Sequence, residues 1–257
     1  MIYQISLLTT FLVAVIYPLC FWFSYDNPLK QGFHKFHTGL PCFLGGIVVV
    51  FILMHHYPAA IKSVCAFWLT VLLLVSLFYW KKETPSALVM SGVSLLGAVA
   101  YIGVSNFLIG YSLPKLIASF LGGFIFCLSL FAMNLGHWYL NVHGLPVKYL
   151  RRSTVGLGFF LALRLIWDIL QLFRERILIQ GDSTLLYQFS LSMDGFLLYL
   201  GILFGVVFPL TSIYFALGTL KLKNTQATTG ILYVILCAVL LGDMTYKYYL
   251  IKFGVAL

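Results

Sequence analysis

The sequence predicts an all-α fold, a polytopic membrane helix bundle of about eight transmembrane helices. Three observations lead there. Of 257 residues, 61% are hydrophobic, 17% aromatic and only 9% charged, with a mean hydropathy of +1.00. A soluble domain carries about 25% charged residues, and a disordered chain is polar and poor in aromatics, so both classes are excluded. The apolar residues also fall in runs of the ~20-residue length that crosses a bilayer as a helix. Lastly, residues that break helices sit in short connections between those runs. The alternation of a β-barrel is missing: Gly45–Met54 and Leu69–Leu77 are continuous.

The spans follow in order. The first, 2–24, has no Lys or Arg ahead of it and no small-residue cleavage site after it, so it reads as a retained helix. Asp26-Asn27-Pro28 closes it. Spans 38–55 and 60–80 flank Tyr57-Pro58; Lys81–Pro85 leads into 86–111, and Ser112–Pro114 into 115–140. His143–Pro146 precedes 153–173, and Arg174–Asp182 precedes 191–220. Pro209 lies deep in that seventh span, where its missing N–H predicts a kink. Lys221–Gln226 is a turn whose polar residues cap the last span, 228–253. No connection could hold a soluble domain and no repeat is evident, so residues 1–257 read as a single integral membrane domain. Gly201 and Gly205, Gly122-Gly123, Gly156 and Gly158 suit close helix contact.

The net charge of +9 is scattered in twos and threes, which is the pattern of cytoplasmic loops and not of a nucleic-acid stripe. Odd-numbered connections hold Lys30, Lys35, Lys81, Lys82, Lys148, Arg151, Arg152, Lys221 and Lys223. The other side holds Lys62, Lys115, Arg174, Arg176, Lys247 and Lys252. The excess predicts both termini outside, with a bacterial cytoplasmic (inner) membrane as the expected location and membrane lipids as partners. Cys20, Cys42, Cys65, Cys127 and Cys237 fall one per apolar segment. That spacing suits buried small hydrophobes, not a disulfide framework or a metal site.

Ionisable groups inside spans are costly and mark candidate sites. Arg164 and Asp168 share one face of the sixth span at i,i+4, as do Asp243 and Lys247 in the eighth. Asp194 falls near the start of the seventh, and His55 and His56 close the second. Helix rise and orientation put these seven at the middle or outer part of the bilayer, as a substrate-binding cluster for quinol or a solute. A structural alternative stands beside it: two self-satisfied pairs holding helix register, Asp194 as a cap, and ordinary interfacial histidines. On the inner side, His34, His37 and the run Asn134 to Pro146 form a second group. Asn134, His137, Trp138 and His143 either belong to an aromatic belt above a basic loop or bind a headgroup or redox carrier. A haem b needs axial histidines within the bundle, and no mid-span pair is present, so haem is not expected. P-loop, GxGxxG, HExxH and GxSxG motifs are missing, so no catalytic residue is assigned.

Met54-His55-His56-Tyr57-Pro58-Ala59 and the run Gly242-Asp243-Met244-Thr245-Tyr246-Lys247-Tyr248-Tyr249 resemble the eight-helix membrane anchor subunits of molybdopterin oxidoreductases, of the DMSO reductase and polysulfide reductase anchor type. The resemblance implies termini outside, a quinol site near the outer face that involves His55 or His56, and partner subunits carrying the redox centres. The chain departs from the family in lacking an acidic residue near the start of the third span, since Glu83 falls on the inner side. Three functions follow. The first is a quinol-interacting subunit of a membrane redox complex, with quinone as its cofactor. The second is a small-solute or ion transporter using the same charges. The third is a non-catalytic scaffold or assembly subunit.

Overall fold

The computed structural model describes residues 1–24, 29, 31–82, 84–110, 112–142, 144–179 and 182–257. The chain is 84% helical, and its described residues include eight helices long and apolar enough to span a membrane. The protein is therefore a multi-pass integral membrane protein. Large apolar side chains such as Leu74, Leu77, Phe159, Ile166, Tyr214 and Phe215 are exposed, and in a bilayer they contact lipid. The chain forms two compact units, Ser6–Gly110 and Tyr111–Leu257 with Met1–Ile5.

The first unit comprises α1 (Ile2–Ile16, from Ser6 onward), a 3-10 helix Tyr17–Phe23, α2 (Gln31–Met54), α3 (Ala59–Tyr79) and α4 (Ala87–Ile109). Trp68 of α3 is fully buried and fills slots left by two glycines. A Cβ at Gly45 of α2 would lie 3.1 Å from its ring, and one at Gly97 of α4 would lie 2.5 Å from Nε1. Phe11 packs beside it, with ring centroids 5.2 Å from Trp68 and 5.7 Å from Tyr101. Apolar surface alone gives no preference for protein over lipid, so such slots supply the close packing that holds helices together.

The second unit holds α5 (Leu113–Asn141), α6 (Lys148–Arg174), a hairpin of β1 (Arg176–Ile179) and β2 (Asp182–Leu185), α7 (Leu186–Ser190), α8 (Phe196–Ile202), α9 (Phe208–Lys221) and α10 (Thr225–Phe253). Leu203–Val207, between α8 and α9, is a π-helical turn. Pro209 explains it: without an N–H, it cannot bond the Gly205 carbonyl as an α-helix requires, so the ladder widens just before it. The widened turn packs on α10, where a Cβ on Gly242 would overlap Gly205 and one on Gly201 would lie 2.9 Å from Thr245. Asn224 caps α10 by accepting from the Ala227 N–H at 3.0 Å, and Gly254 ends it at φ +72°.

Three helices begin elsewhere than hydropathy suggests. α2 starts at Gln31, so His34 and His37 lie within it, and α6 starts at Lys148. α8 starts at Phe196, because Leu191–Gly195 are turns tied by Ser192 N–H to Phe189 O and Gly195 N–H to Ser192 O. The connection after α6 is a hairpin, with Arg176 opposite Leu185 and Ile179 opposite Asp182. Asp26, Asn27, Pro28, Lys30, Glu83 and His143 lie outside the described residues.

Candidate intramembrane charge network

The second unit brings four of the expected site residues into one network. Arg164 and Asp168 face inward from α6, Asp243 and Lys247 from α10. Their relative exposures are 2%, 1%, 6% and 4%, so all four are withdrawn from lipid and water alike. The i,i+4 spacing does what it predicts within each helix. Arg164 Nε donates to Asp168 Oδ1 at 3.0 Å, and the Lys247 ammonium bonds both Asp243 carboxylate oxygens.

Groups from neighbouring helices complete it. Arg164 Nη1 donates to the Ala118 carbonyl of α5 at 2.7 Å. The Arg164 guanidinium lies over the Tyr246 ring, 4.0 Å from its centroid, an arrangement favoured by the ring quadrupole. Tyr246 OH in turn donates to Asp168 Oδ2 at 2.5 Å. Gly122 of α5 lets the helices close in, since a Cβ there would sit 3.0 Å from Asp243 Oδ1 and 3.5 Å from Arg164 Nη1. Two cations and two carboxylates leave the network neutral overall. A cavity of about 10 Å3 is bounded by Gly122, Ile125, Arg164, Gly205, Val239, Asp243 and Tyr246, a space matched to one water molecule.

Beyond Asp168 the buried face of α6 stays polar. Arg164, Asp168, Gln171 and Glu175 recur at intervals of four, three and four, a single helix face, about 16 Å long at the α-helical rise. Gln171 is buried. Glu175, just past the helix end, accepts the Ala256 N–H at both carboxylate oxygens, 3.0 and 3.1 Å. Trp167 Nε1 donates to the Ala256 carbonyl at 2.8 Å. Burial raises the Glu175 pKa from its ordinary 4.5, against the opposing pull of the Ala256 N–H and Lys115. Val255 and Leu257 pack with Ile177, Leu186, Phe189, Leu198 and Tyr249, so hairpin, α7 and C-terminal segment form an apolar cap over this end of the unit.

The remaining expected site residues among those described lie on segments other than α6 and α10, and several belong to the first unit. Asp194 is exposed in the turn before α8, outside the apolar span, and its backbone carbonyl accepts from Tyr249 OH at 2.6 Å. In the first unit, His55 and His56 are exposed at the end of α2. His55 stacks on Phe51 at 3.9 Å and its Nδ1 lies 2.9 Å from the Phe51 carbonyl. His34 and His37 are buried there, with Tyr17 OH bonded to His37 Nδ1 at 2.6 Å. Among the described residues, neither ring nitrogen of His34 has a hydrogen-bond partner. His137 is exposed on α5, 3.5 Å from Tyr233 OH, while Asn134 and Trp138 are half-buried. Among the described residues, no three His, Cys, Asp or Glu side chains converge as metal ligands.

Sequence reasoning missed Tyr246, Gln171 and Glu175. The latter two extend the spacing of Arg164 and Asp168. Tyr246 sits three residues after Asp243, among tyrosines that read equally well as an interfacial belt. No family model, curated protein or solved structure matches this chain.

Proposed function

We propose that this protein is a membrane carrier of a small ion, the proton in the simplest case, with the Arg164–Asp168–Tyr246–Asp243–Lys247 network as its transit site. One observation carries the proposal. Of four buried charges two, Arg164 and Asp243, border a cavity the size of one water, against a helix whose turn is widened at Gly205. Intramembrane charges facing a protein interior characterise ion pathways, and π-helical turns are frequent at functional sites. Asp243 would take the proton and release Lys247. Tyr246, Asp168 and Gln171 provide a polar route towards Glu175 along α6.

The size of the cavity favours an ion over a quinol ring, which needs far more room than one water occupies. The test is flux. Purified protein in liposomes carrying a pH-sensitive dye is expected to dissipate an imposed proton gradient without any redox partner. Asp243→Asn and Asp168→Asn should bring the rate per folded protein down to that of protein-free vesicles. Wild-type protein that moves no proton, Na⁺ or K⁺ would sink the carrier. Quinone retained through purification, with electron transfer sensitive to the same variants, would instead favour the redox subunit. Changes confined to yield would favour the scaffold.

A further inference from the structure

A second feature of the Tyr111–Leu257 unit lies at the opposite end from the cap, where α6 and α10 begin and α9 ends. An open groove of about 770 Å3 runs there between α6, α9 and α10. Its walls are mostly apolar, with Val155, Tyr214, Phe215, Leu217 and Ile231 among them, and Arg151 and Lys221 stand on its rim. Both cations are exposed, and neither side chain makes an ion pair or hydrogen bond among the described residues.

The sequence offers them no counter-ion nearby. No carboxylate occurs between Val142 and Trp167, or between Gly195 and Gly242. Lys148, Arg152 and Lys223 add further positive charge at the same helix ends. Two unneutralised cations above an apolar trough that opens towards lipid call for a ligand with the complementary division: an anionic head and an apolar tail. Basic pockets between transmembrane helices bind anionic headgroups by this chemistry, and the volume is that of an ordinary ligand site.

We infer that this groove holds one anionic phospholipid, with its phosphate between Arg151 and Lys221 and its acyl chain along Tyr214, Phe215 and Val155. The site does not depend on the carrier proposal, and it assigns the protein a lipid that would purify with it.

Native mass spectrometry of the full chain, released from nanodiscs of equal phosphatidylglycerol and phosphatidylcholine with matched acyl chains, tests it. Bound phosphatidylglycerol should exceed phosphatidylcholine. The double variant Arg151→Gln/Lys221→Gln should lose roughly 25-fold of that preference, at about 1 kcal/mol per basic residue and 1.4 kcal/mol per decade. Lys81→Gln/Lys82→Gln, in the other unit, should keep it. Val155→Trp retains both charges and narrows the groove along the acyl-chain path, so it should weaken retention. Inorganic phosphate and glycerol phosphate, added to wild type, should not displace the lipid. No preference in wild type, preference surviving in the double variant, or displacement by headgroup alone would each overturn the site. The wild-type arms decide even if a variant fails to fold.

Discussion

Replacing Asp243 with Asn examines the energetics at the centre of the network. Asp243 and Lys247 are 6% and 4% exposed, so neither charge regains its hydration when the other is removed. The substitution leaves a buried ammonium facing a neutral amide, and removing one partner of a buried pair costs about 3–5 kcal/mol. Lys247→Met should cost less, because Arg164 Nη1 and Asp243 Oδ1 lie 3.5 and 3.0 Å from the same Cβ position at Gly122, so a cation stays near the carboxylate. The double variant Asp243→Asn/Lys247→Met removes both charges and leaves groups of similar volume. Its cost should fall below the sum of the singles by roughly 1–3 kcal/mol, the usual coupling of residues in direct contact. Reversible unfolding by SDS in bicelles, followed by far-UV circular dichroism, gives all three values. A single Asp243→Asn cost under about 0.5 kcal/mol would mean the pair is hydrated. Strict additivity in the double variant would mean the two charges do not stabilise one another. Either result refutes the network as described.

Gly97→Ala should destabilise by about 1–3 kcal/mol, since its Cβ would meet Trp68 Nε1 at 2.5 Å and Val15 Cγ2 at 2.9 Å. Gly46→Ala, with nothing within 4 Å, should be neutral or stabilising in the same unfolding assay. Tyr246→Phe strips Asp168 Oδ2 of its donor and should cost about 1–3 kcal/mol; stability equal to wild type would remove Tyr246 from the network. Glu175 sets a pH dependence in the cap. Its folded pKa is raised, so the stability it contributes is fully present below its ordinary 4.5 and lost as pH rises through the folded value. Hydrogen exchange at the Ala256 amide should therefore show less protection at pH 7 than at pH 4, after correction for intrinsic rates. Glu175→Gln, which keeps an acceptor without the charge, should flatten that trend, and an unchanged trend would assign it to another group.

The eight helices are legible in the sequence because lipid demands long apolar runs, and each run stands clear of its polar connections. Helix starts are less legible, for reasons specific to each. α2 takes in His34 and His37 because packing against Tyr17 and Phe21 buries them, whereas hydropathy counts them as loop. Leu191–Gly195 looks apolar enough for a span, yet Ser192 ties it into turns. The hairpin is carried by two four-residue strands, too short for periodicity to register. At the site, the pairs within α6 and within α10 follow from i,i+4 spacing. That α6 and α10 bring Arg164 and Asp243 to one cavity does not, because it depends on Gly122, Gly205 and Gly242 allowing the helices to approach, and on Tyr246 of α10 bonding Asp168 of α6.

The wide turn at Leu203–Val207 has a bearing on how this chain can vary in length. It holds about one residue more than an α-helical turn, so every position from Phe208 onward is rotated by roughly 100° relative to a straight continuation of α8. Loss of a single codon there would remove the extra residue while Pro209 still interrupts the ladder, and it would turn Ile213 away from Gly158 and redirect all of α9. A one-residue gain in any other part of the span would do comparable harm.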